Sequence, residues 1–549
     1  MNWLISAKGC KKCKLWVLAA ALAVLPLLSV SGCGENSVFL TGSTEARYRT
    51  ERVVYLPMEK VRTLNPMISK DVDTYYISKL IYDGLFELDE HMAPQKRLVD
   101  DFVFSEDRLT LAITLKQGVM WHDGAELTAQ DVKFSIDAYL SLSYGKDTLY
   151  SDYVSNIKSV ALKKSAPYEL DIYFRSPGNV CLENLVFPIL PAHQFKKAAD
   201  VKKNDSGFTP IGTGPYKLSS YNDLSKLSLA ANEDYFGDAP KNELEFIVFP
   251  NKKDALNLLG IEGITILFND ETDRDTLTSN MKANTVNFIS NQAEIIAFNM
   301  SSDAMSIKKV RQAVACAVDS KEILASAYLR SGVLSDTLYY PFYYGNKNEG
   351  ELYGYDMERA KALVREAGLK DLDGDGFAED RDGNPVTVRV LVNSDNQPRT
   401  AAAQIIKNAL DKLPFDSYII YCSEDEYAEA IEAGDYDMYI GGYSFNERYD
   451  LREILHSEYG NGIGYSNPAL DEILDEMQSG VSNARKAEIF EKANAILNED
   501  LPYYCILYKT YGAISSNALV GEVTPLFNDF YKGCAEWECK YEMPAAVAE

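Results

Sequence analysis

Strand-like and helical patterns alternate along the chain from about residue 295 to residue 509, and this alternation constrains the fold more than any other feature. The strand-like segments are "EIIAFNM", "PVTVRVLVNS", "SYIIYC" and "YDMYIGGY". Between them lie helical segments such as "MERAKALVREAGL", "RTAAAQIIKNALDKL" and "DEYAEAIEAG". Strands separated by helices in this way are typical of α/β folds. We therefore predict an α/β region with a partly parallel sheet.

The rest of the chain is richer in strand patterns. In "LTLAITL", residues 109–115, apolar residues occupy every second position, which is typical of a half-buried strand. Residues 77–85 instead place apolar side chains at helical spacing, with Gly84 as a stop signal. After residue 509 the pattern returns to strands and loops. The sequence thus predicts a strand-rich first part, an α/β second part and a returning tail.

The N-terminus has the features of a secretory signal. Residues 1–14 contain four lysines and no acid, and residues 15–28 form an apolar run that contains Pro26. This run is shorter than the roughly 20 apolar residues that a membrane-spanning helix needs. It is followed by "VSGC", which resembles the lipobox of bacterial lipoproteins and makes Cys33 the expected lipidation site; ordinary secretory cleavage, with Cys33 incidental, is the alternative.

These features predict where the protein is located. Residues 1–32 are expected to be a removed signal peptide, and the polar, glycine-containing residues 33–50 a lipid anchor and flexible tether. The predicted location is extracytoplasmic, with the protein anchored to the cell membrane by lipid.

Composition excludes some classes of ligand and activity. The formal net charge of −26 argues against nucleic acid, because phosphate binding needs a basic surface. Only four histidines are present, so direct nickel ligation is disfavoured. No nucleophile motif is evident, and we expect no catalytic residues and no required cofactor. Of the cysteines, Cys534 and Cys539 are close enough in sequence to pair, and Cys316 has an apolar setting that predicts a buried thiol.

The stretch "WHDGAELTAQDVKF", residues 121–134, gathers a histidine and carboxylates and therefore resembles a chemical site. Local structure explains it equally well. Asp-Gly is a turn dipeptide, and Thr128 with Asp131 fits a capping box at a helix start. Leu127 and Val132 are spaced as a hydrophobic staple around that cap. We therefore predict a structural role for this stretch, including His122.

A second acidic constellation is "DLDGDGFAEDRD", residues 371–382. Asp371, Asp373 and Asp375 occupy positions 1, 3 and 5 of a loop that resembles an EF-hand, and Asp382 occupies position 12. Oxygen ligands on this spacing suit calcium. The segment joins a helix to a strand, however, and position 12 carries Asp in place of Glu. A structural calcium site and a solvated acidic turn both remain open.

Seven ordered blocks resemble the bacterial extracellular solute-binding proteins of family 5, the peptide, dipeptide and nickel receptors of ABC importers. The blocks are "LNPMISKD…YDGLFELDE", "LKQGVMWHDGAELTAQDVKFSI", "PIGTGPYKL…NEDYFGD", "IAFNM…VRQAVACAVDSKEI", "DMERAKALVREAGLKDLDGDGFAEDRDGNPV", "GDYDMYIGGYS" and "GYSNPALDEILDEM". The resemblance covers about residues 51–510. It implies an α/β, two-lobed periplasmic-binding-protein-like fold (type II, cluster C-like) with hinge strands and an extra subdomain in the first lobe.

The resemblance also implies a division of the chain and a set of partners. The first lobe would span residues 51–295, with an inserted subdomain at about 88–205, and the second lobe residues 296–509. Residues 510–549 would return and pack on the first lobe. The implied partners are a captured solute, the transmembrane subunits of an ABC permease and, through the lipid, the membrane; we expect a monomer.

Ligand residues are carried over from the same resemblance. Oligopeptide-binding relatives hold the ligand as an added strand between a loop after a Leu-Asp-Pro-like element, here Leu64-Asn65-Pro66, and the end of a strand that usually carries Gly-Trp. In this chain the implied contacts are Lys70, Asp71, Val72, Gly442, Tyr443 and Ser444.

One position departs from the family pattern. Relatives that bind a peptide ammonium commonly use an Asp three residues beyond the Trp, and this chain has Asn446 there, with Glu447 next to it. An amide stabilises a buried cation less than a carboxylate does. Either Glu447 substitutes, or the ligand is not a simple free peptide. The expected function is thus peptide capture for import, with another small solute (a glycan, an opine-like compound, haem or a nickel chelate) as the alternative.

Overall fold

The computed structural model describes residues 48–542, apart from 204–206, 261–262, 273–277, 280, 346–351 and 380–382. The predicted signal peptide, Cys33 and most of the tether lie outside the described residues, as does Asp382. Among the helices that the model describes, none is long and apolar enough to cross a membrane.

Strands are the most numerous elements of the described part of the chain. In chain order they are β1 Tyr48–Glu51, β2 Val53–Glu59, β3 Phe86–Leu88, β4 Pro94–Lys96, β5 Val99–Phe104, β6 Thr110–Leu115, β7 Ile157–Leu162, β8 Glu169–Phe174, β9 Tyr216–Asn222, β10 Lys226–Ala231, β11 Glu243–Phe249, β12 Ile266–Asn269, β13 Ala283–Phe298, β14 Gly332–Leu334, β15 Thr387–Asn393, β16 Asp416–Cys422, β17 Met438–Ser444, β18 Tyr503–Ser516, β19 Leu519–Val520 and β20 Glu538–Glu542.

The α-helices concentrate in the second half. Within the same described ranges they are α1 Val72–Ile81, α2 Ala129–Ser143, α3 Ser151–Val154, α4 Lys308–Ala317, α5 Ser320–Ser326, α6 Met357–Glu366, α7 Gln397–Leu410, α8 Glu424–Ala433, α9 Arg452–Leu455, α10 Pro468–Met477 and α11 Asn483–Asp500.

The largest sheet confirms the predicted partly parallel α/β region. Its order is β12-β18-β13-β17-β15-β16, with β14 also paired to β18. β15 runs parallel to both β16 and β17, and the helices α7 and α8 connect these strands. β13 and β18 form a long antiparallel pair whose register runs from Ala283 opposite Ser516 to Ala297 opposite Tyr503.

Two separate apolar cores flank this long strand pair. One contains buried residues drawn from 54–539, and the other contains buried residues drawn only from 296–507. β13 supplies Phe288 and Ile295 to the first core and Ile296 and Phe298 to the second. The pair β13 and β18 thus belongs to both halves of the molecule, in keeping with a two-lobed arrangement. The exact lobe boundaries stay a prediction.

Smaller sheets build the strand-rich first part. One sheet has the order β2-β11-β10-β9, with β2 parallel to β11, and another is the antiparallel sheet β5-β6-β8-β7. The last strand, β20, pairs with β1 and β19. Near it, Asn242 donates from Nδ2 to the carbonyl oxygens of Cys534 and Trp537, both at 2.9 Å. These bonds fix the tail to the β10–β11 region.

The capping box predicted for the "WHDGAELTAQDVKF" stretch is confirmed. The Asp131 carboxylate accepts from the Thr128 backbone N–H at 2.8 Å, and α2 starts at Ala129, the residue after Thr128. Leu127 and Val132 are both fully buried. Because the cap and the buried positions are local in sequence, they could be identified without knowledge of the fold.

His122 within this stretch connects two loops. Its Nδ1 accepts from the Gly212 N–H at 3.2 Å, and its Nε2 lies 3.0 Å from the Gly214 carbonyl oxygen. Since Nδ1 accepts, the ring is neutral with its proton on Nε2. Burial is the main cause that lowers the His122 pKa. Both ring nitrogens therefore serve the fold.

Cys534 and Cys539, which are close enough in sequence to pair, do not form a disulfide in this structure. Cys534 Sγ lies 3.6 Å from the Tyr216 hydroxyl, while Cys539 Sγ lies 3.4 Å from the Val53 carbonyl oxygen. Both thiols are free, because the 3-10 turn and strand between them direct the two side chains to different neighbours. Cys316 is buried and free, as expected.

Candidate ligand site

The end of β17 presents an open strand edge. On one side β17 pairs with β13 along its whole length, and Phe445 N–H donates to the Asn291 carbonyl oxygen at 3.0 Å. Alternate residues direct their backbone groups to opposite edges, so Gly442 and Ser444 point away from β13. On that second side the pairing with β15 stops at Ile440. The backbone groups of Gly442 and Ser444 therefore face the unpaired edge, and both residues are exposed.

Gly442 is required where it stands because its surroundings leave no room for a side chain. A Cβ atom there would collide with Arg399 Nη2 and would lie 2.8 Å from the Ala293 carbonyl oxygen. Two residues earlier on β17, the Ile440 carbonyl oxygen accepts from the Tyr427 hydroxyl at 2.8 Å. The open edge is thus bordered by a guanidinium and a phenol.

A buried ion pair supports this edge. Arg399 donates from Nε to Glu294 at 2.8 Å and from Nη2 at 3.2 Å, and the Tyr328 hydroxyl donates to the same carboxylate at 2.9 Å. Burial opposes the charge on Arg399, but the bond and attraction from Glu294 raise its pKa overall. The guanidinium therefore remains a permanent positive charge beside Gly442. Sequence reasoning missed Arg399, Glu294, Tyr328 and Tyr427, because the segments that carry them are far apart in sequence and meet only in the folded chain.

Glu447, three residues after the open edge, is buried and has several donors. Its carboxylate accepts from the Tyr75 hydroxyl at 3.0 Å and the Tyr153 hydroxyl at 3.4 Å, and Lys79 Nζ lies 3.6 Å away. Burial, and then the charge of Glu447, raise the pKa of both phenols. The phenols hence keep their protons and act as donors. The Glu447 carboxylate is thus already stabilised by two hydroxyl donors and the nearby Lys79 ammonium.

The other predicted residues occupy more ordinary positions. Asn446 is exposed, and its side-chain oxygen accepts from the Arg448 N–H at 3.0 Å, which stabilises a turn. Tyr443 is half-buried, and its hydroxyl lies 3.4 Å from that of Tyr439. Neither contact requires a ligand.

The segment of Lys70, Asp71 and Val72 forms the start of α1. Lys70 is exposed and donates to the Lys146 carbonyl oxygen at 3.3 Å, and Val72 is 61% exposed. Asp71 is the N-cap residue and accepts from the Arg62 N–H at 3.0 Å. Tyr75, one turn further along α1, bonds Glu447. The structure therefore links the α1 segment to the end of β17, although the two are separated by about 370 residues in sequence.

A cavity of about 530 Å³ lies between α1, the loop after β17 and the tail. Charged groups of both signs line it: the cations Lys79, Arg97 and Lys532, and the acids Asp83, Glu87, Asp89, Asp238, Glu447 and Asp529. Burial raises the pKa of Asp529, and the charge of Lys79 counteracts that rise. The lining can therefore bind a zwitterionic or mixed polar group.

Comparison with known families matches this architecture. The model of the bacterial extracellular solute-binding proteins, family 5 (middle), matches residues 93–462, which include β17 and the acidic loop. The chain belongs to this family. This solute-binding protein is 26% identical, over 81% of its own length and 83% of the relative's, to the oligopeptide-binding protein AppA of Bacillus subtilis. It is 23% identical to the dipeptide-binding protein of Escherichia coli, over 87% of its own length and 92% of the relative's.

Solved structures of the family show the same fold. The B. subtilis oligopeptide-binding protein AppA in complex with a nonapeptide gives a TM-score of 0.58 at 24% identity, covering 89% of this chain and 99% of the other. The substrate-binding protein CtaP of Listeria monocytogenes gives 0.70 at 22% identity, with the same coverage. Because the identities are low, these similarities establish only the fold of this solute-binding protein. Its ligand has to be inferred from the residues of the site.

Proposed function

We propose that this solute-binding protein captures an oligopeptide in extended form along the open edge of β17 and delivers it to the transmembrane subunits of an ABC importer. The observation that carries this proposal is the pair of backbone groups at Gly442 and Ser444 facing an unpaired strand edge. A peptide added as a strand bonds such groups whatever its side chains are. This mode suits a receptor that accepts many sequences, and it needs no catalytic residue.

Charge at the two ends of the edge supports the same proposal. Arg399 places a positive group beside Gly442, where it suits a peptide carbonyl or carboxylate. Glu447 lies beyond the other end, together with Lys79 and two phenols. A peptide ammonium would share Glu447 with Lys79. Lys70, Asp71 and Val72 would contact the ligand from the first lobe, and Tyr443 and Asn446 from the second.

Anchoring and delivery form the second half of the proposal. Lipid on Cys33 would keep a monomeric receptor at the membrane, and closure of two lobes around the ligand is a signal that a permease can read. Palmitate labelling of parent and Cys33→Ala cells tests the anchor: label should enter the parent protein only. Equal label in both would refute lipidation at Cys33 without bearing on the ligand.

One observation favours the alternative, a small solute other than a free peptide. Glu447 is already compensated by Lys79 and two hydroxyls, so it offers a ligand ammonium less than a bare carboxylate would. Such a ligand would bind without a free amino terminus. A glycan or another uncharged solute meets this condition.

Mass spectrometry of ligand released from freshly purified, denatured protein separates the two functions. The proposal expects a mixed population of peptides. A single discrete non-peptide compound would contradict it and support the alternative, and a substrate that the protein converts would contradict both.

A further inference from the structure

We propose that residues 371–379 form a calcium site whose ligands are the carboxylates of Asp371, Asp373, Asp375 and Glu379. Each of these residues places one carboxylate oxygen within 4.8 Å of the others. Calcium binds oxygen at 2.3–2.6 Å, so two ligands of one ion stand at most about 5 Å apart. The four oxygens thus fit around one ion. Asp382 lies outside the described residues and is not part of this ligand set.

Glu379 is the residue that distinguishes this cluster from an ordinary acidic turn. Its side chain is only 6% exposed. One oxygen, Oε2, accepts from the Leu372 N–H at 2.6 Å, but Oε1 is buried without any hydrogen-bond partner. A buried carboxylate oxygen without a partner is costly. A cation held between Glu379 and the three aspartates would remove that cost.

Within the described ranges, no Lys, Arg or His forms an ion pair with the cluster of Asp371, Asp373, Asp375 and Glu379. Four negative carboxylates at this separation repel each other. A divalent cation bound among them would attract each carboxylate and so offset that repulsion. An all-oxygen ligand set suits calcium, which accepts flexible geometry, better than magnesium, which demands near-ideal octahedral geometry.

The backbone of the loop is folded around the same centre. Gly374 and Gly376 donate to Asp371 at 2.6 and 3.1 Å, and Gly376 has a φ of 100°, which favours glycine. Glu379 occupies position 9 of the loop, where EF-hand loops often place a ligand. That position is the signal by which the sequence could have identified Glu379.

The site would fix the connection between α6 and β15 to the second core. Ala378, next to Glu379, is fully buried in that core, and its N–H donates to the Pro414 carbonyl oxygen at 2.8 Å. β15 in turn pairs with β17, the strand that carries the open edge. Calcium is therefore expected to stabilise the second lobe, and this inference does not depend on the identity of the transported ligand.

Calorimetric titration of the purified chain, stripped with EDTA, tests the proposal with calcium chloride alone. We expect one ion per chain, with a Kd in the range of about 10⁻⁴–10⁻³ M that is typical of extracellular calcium modules. The thermal unfolding midpoint should be higher in calcium than in EDTA. A parent protein that gives no heat up to about 10 mM calcium, ten times the weak end of that range, would overturn the site.

Variants assign the ligands. Glu379→Gln keeps an acceptor for the Leu372 N–H. It should lower the affinity for calcium by more than about tenfold, the loss that follows removal of a residue that only supports a metal ligand. The matched control Asp425→Asn, on the exposed first turn of α8, removes the same charge and should titrate like the parent. A Glu379→Gln variant with parental affinity would overturn the assignment.

Folding must be separated from binding. If Glu379→Gln lowers the unfolding midpoint even in EDTA, the loss of calcium binding could come from a damaged fold. The variant Asp373→Asn then tests the site, because Asp373 is exposed and lies outside the core. Asp373→Asn should fold like the parent in EDTA and lose the stabilisation by calcium. A full calcium response in that variant would overturn the proposal.

Discussion

The guanidinium of Arg399 holds the carboxylate of Glu294 with two nitrogen atoms, Nε at 2.8 Å and Nη2 at 3.2 Å. Arg399 lies in the first turn of α7 and Glu294 in the long strand β13, so the pair connects a helix of the second core to a strand shared by both cores. It also borders the open edge at Gly442. This pair thus joins the stability of the fold to the geometry of the site.

Removal of Arg399 should destabilise the protein strongly. In Arg399→Met the Glu294 carboxylate stays 94% buried without its cation, and breaking a buried pair from one side costs about 3–5 kcal/mol. Urea unfolding should show this loss in the free energy of unfolding. Adding Glu294→Gln removes the stranded charge and should restore a large part of it. A single variant as stable as the parent would contradict this account of the pair.

Backbone bonding at the open edge can be tested at Ser444. Ser444→Pro removes the N–H that faces the unpaired edge, and proline is tolerated at strand edges. Ser444→Ala removes only the hydroxyl. We expect the Pro variant to lose most of its affinity for a peptide mixture recovered from the parent protein, and the Ala variant to bind as the parent does, measured by calorimetry. Equal binding by both variants would show that the ligand does not pair with this strand.

The role of Glu447 can be separated from that of the backbone. If a peptide ammonium reaches Glu447, Glu447→Gln should weaken a peptide with a free amino terminus by about 1.5–3 kcal/mol, the contribution of a hydrogen bond to a charged group. The same peptide with an acetylated amino terminus should bind parent and variant alike. A uniform loss for both peptides would instead indicate that Glu447 supports the site through Tyr75 and Tyr153 only.

Local sequence signals account for much of the fold. The helix start at Thr128 and Asp131 and the alternation of strands and helices after residue 295 depend on neighbours close in the chain, and the structure confirms them. The period of an apolar pattern is set by the element in which it lies. Elements of this kind can therefore be predicted without knowledge of tertiary contacts.

The interior of the site could not be predicted in this way. Arg399 and Glu294 are 105 residues apart, and Tyr75 and Glu447 are 372 residues apart. Nothing in the sequence around either partner indicates the other. The resemblance to a family located the strand end at Gly442, but the charges that border it follow from the packing of α1 and α7. The sequence also left open whether Cys534 and Cys539 pair, because proximity in sequence does not fix the direction of a side chain.

His122 is expected to make stability depend on pH. Burial lowers its pKa from the ordinary value of 6.5, so below that pH the unfolded chain binds a proton that the folded protein does not. The contribution is fully present above pH 6.5 and decreases as the pH falls from there towards the folded-state pKa. In His122→Gln, which retains one donor and one acceptor for the Gly214 and Gly212 backbone, the fall in unfolding midpoint between about pH 7 and pH 5, the interval around the histidine pKa, should be smaller than in the parent. Ligand affinity at neutral pH should stay nearly unchanged. Parallel pH curves for the two proteins would show that His122 does not titrate in this way, and a large loss of affinity with the fold intact would show that it belongs to the ligand site.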